Sequence, residues 1–235
     1  DYNEQKNGST FLAFSDRNTM LFDIRESNTI VNQSDYKTSN LFTCGKTTRS
    51  GYLAMGSEDG IVRLYDGPCK SKSMINFVTN VCGDPIISLD ISNNEEWILV
   101  TCPFYLCVFN VKSKSTGKSG FIQKMGKDKP SLTRLTIEPI HQQQITQKFK
   151  GTLPQFTTAK FQNKGNKIIA IIASIGNCLV SWDFRRIEEG SLPKYSIKFI
   201  GDESIVDIHP FDSRNNDILF MTDNSLTVIE RNVKL

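Results

Sequence analysis

Two short strings in this 235-residue chain carry the Gly-Lys-Ser/Thr signature of a phosphate-cradling loop: CGKTT at Cys44–Thr48 and TGKSG at Thr116–Gly120. Such a loop needs a further glycine five residues ahead, so that backbone N–H groups can wrap the phosphates. Asn40 and Lys112 stand there instead, and neither string leads into a helical pattern. The two histidines, His141 and His209, lie far apart, and no Ser–His–Asp arrangement can be built from them. Asp84 in CGDP and Asp202 in IGDE recur at equivalent places. Paired carboxylates can do acid–base work, but a recurrence that follows a repeat points to turn stabilisation. The six cysteines, Cys44, Cys69, Cys82, Cys102, Cys107 and Cys178, form no CxxC pair, and the closest two are the ends of CPFYLC. Mostly set in apolar stretches, they read as small buried thiols of a reduced compartment, not as a disulfide framework or zinc site. No catalytic residue, cofactor, metal or small-molecule substrate is expected.

Charge is the remaining chemistry. The chain has 28 Lys and Arg against 25 Asp and Glu, a net +3 that is too balanced to imply nucleic acid. It is uneven locally: KSKSTGKSGFIQKMGKDK, Lys112–Lys129, has Asp128 as its one acid. No apolar run approaches the ~20 residues of a membrane span. The opening DYNEQKNGST has no apolar signal core.

The elements that must carry these residues come from a repeat. Five segments share one layout of apolar strand, tight polar turn and second apolar strand. They are FLAFSDRNTMLFDIR, YLAMGSEDGIVRLYD, WILVTCPFYLCVFNV, IIAIIASIGNCLVSWDF and ILFMTDNSLTVIERN. Their second strands end near Ile24, Tyr65, Asn110, Trp182 and Ile229, in steps of 41, 45, 72 and 47 residues. Three steps fit the ~40–45-residue period of a four-stranded propeller blade, and the long one holds an insertion of about 27 residues. An inner strand precedes each pair (SNLFTC, PIISLDIS, FTTAKFQ, SIVDIHPF) and an outer strand follows it (NTIVNQ, SMINFV, GFIQKM, YSIKFI). Inner strands and pairs are nearly continuous in apolar residues, as suits burial on both faces, and outer strands are more polar. IEPIHQQQITQKF predicts a short helix within the insertion.

The chain is therefore read as all-β: one β-propeller domain over residues 1–235 with an insertion around 112–150. At least four four-stranded antiparallel blades are expected, about five being visible. The first repeat begins without an inner strand and the last stops without an outer one. A larger, seven-bladed ring is therefore expected. Trp182 and Trp97 are expected to pack between blades.

In a propeller, loops from third to fourth strand emerge on one face together with those from first to second. That face collects Lys70, Lys72, Lys112, Lys114, Lys118, Arg185 and Arg186, the candidate partner-binding residues. The opposite loops carry mostly acids, Asp16, Asp35, Glu58, Asp59, Asp84, Asp202, Glu203 and Asp223 among them. A basic face suits an acidic protein partner; the alternative is an anionic surface, lipid headgroups or RNA. Nucleic acid is not expected as the main partner, and membrane contact is peripheral at most.

GYLAMGSEDGIVRLYD looks like one WD-class repeat, with Trp182-Asp183 supplying the dipeptide and Tyr65-Asp66 a near version. Gly83-Asp84 and Gly201-Asp202 stand where the usual Gly-His would fall, so the His–Ser–Asp–Trp network of that class is incomplete. The order of landmarks is narrower: FLAFSDRNTMLFDIR, GYLAMGSEDGIVRLYD, GDPIISLDIS, EWILVTCPFYL, KPSLTRLTIEP, FTTAKF, VSWDF. From Phe11 to Phe184 it resembles the C-terminal propeller of the vacuolar import and degradation family of cytoplasmic proteins. That resemblance implies a cytoplasmic, non-enzymatic scaffold in the trafficking or turnover of other proteins, with a larger region ahead of it.

Overall fold

The computed structural model describes residues 9–37, 39–79, 83–126, 128, 131–211 and 217–229. Every repeat folds as an antiparallel meander in which each strand pairs with the next in sequence. The first sheet is β1 (Thr10–Phe14), β2 (Asn18–Asp23) and β3 (Ile30–Asp35). The second is β4 (Phe42–Thr47), β5 (Leu53–Ser57), β6 (Ile61–Tyr65) and β7 (Ile75–Val78). The third is β8 (Ser88–Ile91), β9 (Trp97–Thr101), β10 (Leu106–Asn110) and β11 (Thr133–Leu135). Helix α1 (Pro139–Lys148) follows, with Pro139 in its first turn, where a missing N–H costs nothing. The fourth sheet is β12 (Phe156–Lys164), β13 (Lys167–Ile175), β14 (Cys178–Asp183) and β15 (Tyr195–Phe199), with the one-turn helix α2 (Phe184–Glu188) between its last two strands. The fifth is β16 (Ile205–Pro210), β17 (Ile218–Thr222) and β18 (Leu226–Ile229). The protein is thus all-β, with five antiparallel sheets and two short helices among the described residues.

The count departs from expectation in one respect. Three sheets are four-stranded where at least four were expected; the first and fifth have three strands among the described residues. In the first, β1 pairs with β2 alone among the described residues. Residues 1–8, where an inner strand could be sought, lie outside the described residues, as does Cys82.

A second correction concerns the third sheet. Its fourth strand is β11, paired Leu106↔Leu135 and Val108↔Thr133, not GFIQKM. Phe121 and Met125 are buried while Ile122 is exposed, an i, i+4 pattern that suits turns and not a strand. The Phe121 ring stacks on Tyr52, centroids 5.3 Å apart, which fixes the segment as turns. β11 thereby splits the 112–150 insertion into a β10–β11 connection and a β11–β12 connection that carries α1.

By contact the chain divides into two compact units, Asp1–Ile98 with Phe109–Leu132, and Leu99–Val108 with Thr133–Leu235. In the first, Leu12, Phe42, Leu53, Met55 and Tyr65 form one core cluster, with Tyr36 and Cys69 packed against it. In the second, Ile172, Leu179, Ile205, Ile208, Ile218 and Phe220 do the same. Each unit repeats one arrangement: the first strand of a sheet packs beside the first strand of the next, β4 with β8 and β12 with β16. Strand β5 is buried at every position, as its unbroken apolar run requires, and β3 is exposed at nearly every one. Trp182 is fully buried, with the rings of Phe156 and Tyr195 from its own sheet as neighbours, whereas Trp97 is half-buried.

Candidate partner-binding surface

The seven basic residues all fall in topologically equivalent connections, from third to fourth strand of the second, third and fourth sheets. Lys70 and Lys72 lie in the β6–β7 connection and are exposed. That connection is pinned at Cys69, which takes a positive φ of 55° and directs its thiol at the carbonyls of Thr19 and Asn32, 3.5 Å from each. The Tyr36 hydroxyl donates to the Lys70 carbonyl at 3.1 Å.

Lys112, Lys114 and Lys118 share one small hairpin in the β10–β11 connection, closed by the Lys112↔Ser119 bridge. Asp128 organises it. Its carboxylate accepts from the Ser113 and Ser115 hydroxyls and from the Ser115 N–H. The Ser113 bond, then the two from Ser115, hold its carboxyl below the usual range, and Lys114's charge adds to this. The loop is therefore built, not simply solvated. Lys112 is also committed: its Nζ lies 2.5 Å from Glu96 Oε1. Lys70, Lys72, Lys114 and Lys118 pair with no carboxylate among the described residues.

Arg185 and Arg186 sit on α2. Asp183, the acid of the Trp-Asp dipeptide, caps that helix by accepting from the Arg185 N–H at 3.1 Å. Arg185 Nε donates to Glu189 at 2.7 Å, and Arg186 is half-buried. So Arg185, like Lys112, already has an acidic partner in its own unit. Glu96 and Asp128 shape the hairpin, and Glu189 acts on α2. The i, i+4 spacing of Arg185 and Glu189 was readable, but the Lys112–Glu96 pair requires the β9–β10 register.

The strings that suggest other chemistry have structural uses. CGKTT lies in β4, and a Cβ on Gly45 would come 2.8 Å from Met55 Sδ, so this glycine serves packing. Lys46 reaches Asp90 at 3.9 Å. TGKSG is the hairpin tip, with Gly117 at φ 68°. His141 on α1 meets the Tyr195 hydroxyl through Nδ1 at 2.7 Å, and His209 stands edge-on to Phe211. Cys44, Cys102, Cys107 and Cys178 are buried. Burial pushes Cys107 and Cys178 up to about 12 each, which removes thiolate reactivity at neutral pH. Asp59 and Glu203, two acids of the opposite loops, fix turns: Asp59 accepts from the Ile61 N–H at 3.2 Å and Arg63 at 3.0 Å, Glu203 from Asn224 at 2.9 Å. Among the described residues no group of His, Cys, Asp and Glu is arranged to hold a metal. Nor is any helix there long and apolar enough to cross a membrane.

Residues 1–234 match the family described as the VID27 C-terminal WD40-like domain. The chain belongs to this family. It is 31% identical over 230 residues to vacuolar import and degradation protein 27 of Schizosaccharomyces pombe, covering 93% of this chain and 27% of that protein. It is 29% identical over 199 residues to the protein of the same name in Saccharomyces cerevisiae, covering 81% and 25%. The chain thus spans about a quarter of the length of the curated relatives it matches. The match extends past Phe184, where the landmark motifs fade, to the end of the fifth sheet.

Proposed function

We propose that this chain is a non-enzymatic protein–protein interaction module acting in the vacuolar import and degradation of other proteins. Its five sheets are read as consecutive blades of a β-propeller, supported by the meander order and by the first-strand packing repeated in each unit. The observation that carries the interaction reading is the recurrence of basic side chains in equivalent connections of three successive sheets. The family's WD40-like character and the relatives' names support the biological setting. Cysteines set singly in apolar, buried positions support a reducing, cytoplasmic site of action.

The test is affinity capture with cross-linking, using the full-length protein in its own cytosol, followed by purified binding at varied salt. The expected result is a stoichiometric protein partner whose capture weakens when Lys70, Lys114 and Lys118 are reversed to Glu. Lys112 is left out because reversal would set it against Glu96. Steep loss of binding to anionic vesicles or RNA between low and physiological salt, with no protein partner recovered, would instead favour an anionic-surface binder.

A further inference from the structure

We propose that a groove along the second sheet binds an acidic segment of a protein partner. This rests on the reading of the chain as an interaction module and names a surface distinct from the hairpin and α2.

The groove, about 790 Å³, lies within the first unit. That is inside the roughly 300–1,000 Å³ range of ligand-sized clefts. Its rim is basic. Lys37 comes from the segment after β3, Lys72 from the β6–β7 connection and Lys124 from the β10–β11 connection. All three are exposed, and none has a carboxylate within 4.0 Å among the described residues. Asp35 is the one acid in the lining. Arg63 also lines the groove, but its charge is engaged: Nη2 lies 3.0 Å from Asp59, and the guanidinium sits 5.9 Å over the Phe42 ring.

Three separate anchors bring the lysines together. The stack of Phe121 on Tyr52 holds the segment that carries Lys124. The Cys69 thiol and the Tyr36 hydroxyl hold the connection that carries Lys72. The Tyr36 ring, 5.4 Å from Phe42 and 6.4 Å from Tyr65, holds the chain next to Lys37. Like charges gathered this way repel, and no ion pair among the described residues offsets that repulsion. An external anion would.

The rest of the lining selects the kind of anion. Asn40, Ser71 and Asn76 offer amide and hydroxyl groups, and Tyr36 and Met74 offer apolar surface. An extended peptide presents main-chain amides, apolar carbons and carboxylates together. A membrane surface presents headgroups in a plane, which a recessed lining of this kind does not match.

The probe is fluorescein-labelled decaglutamate, with decaglutamine as its neutral counterpart, titrated by anisotropy against the full chain. Decaglutamate should bind at least about tenfold tighter than decaglutamine. The triple variant Lys37→Gln, Lys72→Gln, Lys124→Gln should weaken decaglutamate by roughly tenfold or more at unchanged thermal midpoint. Asp35→Asn, which removes the lone acid, should strengthen it, a gain that a structural defect would not give. Equal weakening by Lys70→Gln, Lys114→Gln, Lys118→Gln would mean diffuse charge and overturn the groove. Phosphatidylserine vesicles or oligouridine displacing the probe more strongly than unlabelled decaglutamate would overturn the occupant. Partner capture from cytosol that survives the groove variant but fails with the hairpin variant would overturn the groove while leaving the module reading intact.

Discussion

Asp23 and Arg25, at the end of β2, form a closed pair two residues apart. Arg25 donates from Nε to Oδ1 at 3.0 Å, from Nη2 to Oδ2 at 2.7 Å, and from its backbone N–H to Oδ1 at 3.0 Å. The guanidinium bonds, then the backbone bond, hold the Asp23 carboxyl down at about 2, from 3.8. Because the folded value is depressed, this contribution is present above pH 3.8 and is lost as pH falls towards 2. Arg25→Ala should move the Asp23 titration, followed by carboxyl carbon NMR, back up towards 3.8; an unmoved midpoint would refute the assignment. Gly60 makes a different prediction. It turns the β5–β6 hairpin at φ 73°, and a Cβ there would lie 2.8 Å from the Asp84 carbonyl. Strained φ and contact with rigid backbone together should make Gly60→Ala destabilising by about 1–3 kcal/mol in denaturant unfolding. A neutral result would show that the hairpin can shift away from Asp84. The Asp-Gly pair of SEDG signalled this turn in sequence; nothing there signalled the approach of Asp84 from the β7–β8 connection.

At the scale of elements, α1 meets β15 through the Tyr195 hydroxyl and through Lys148, whose Nζ lies 4.6 Å over the Phe199 ring. Tyr195 accepts the N–H of Glu138 at 2.8 Å and meets His141 Nδ1 at 2.7 Å. Glu138 has no side-chain cap of its own, so Tyr195 satisfies an otherwise orphan donor at the helix start. Tyr195→Phe should speed hydrogen exchange across α1 several-fold, at about 1 kcal/mol per lost bond, and leave β13 amides unchanged. Uniform acceleration of both would mean that the hydroxyl supports the whole sheet. The helix itself was legible, since Pro139 marks its first turn and Ile145 its one buried contact. So were β5 and β13, whose apolar runs match their burial. β11 was not, because three residues, Thr133–Leu135, carry too little pattern, while the more apolar GFIQKM nearby drew the assignment. α2 was missed because Asp183 both ends a strand and caps a helix. The candidate site was half legible. The run of lysines is plain in sequence, yet which of them are spent on Glu96, and which meet around Tyr36, depends on neighbours far along the chain.

Across the whole molecule, the free lysines of the hairpin and the β6–β7 connection set a prediction about rates. Surface charges act together within the ~8 Å Debye length at physiological salt, so a cluster steers encounter where single pairs count for little. Reversal of Lys70, Lys114 and Lys118 to Glu should slow association with the captured partner and flatten its salt dependence, with dissociation little changed, as read by stopped flow. Unchanged kinetics would remove these residues from the binding surface. The buried thiols have a consequence of another kind. Cys44 belongs to the first unit and Cys178 to the second, and both are shut away from solvent. A thiol-modifying reagent can reach either only when the surrounding strands part. The pace of labelling at each sulfur, read by mass spectrometry without any substitution, is therefore a clock for the opening of its own unit. Matching paces in mild denaturant would mean that the units melt as one, and divergent paces that one gives way first.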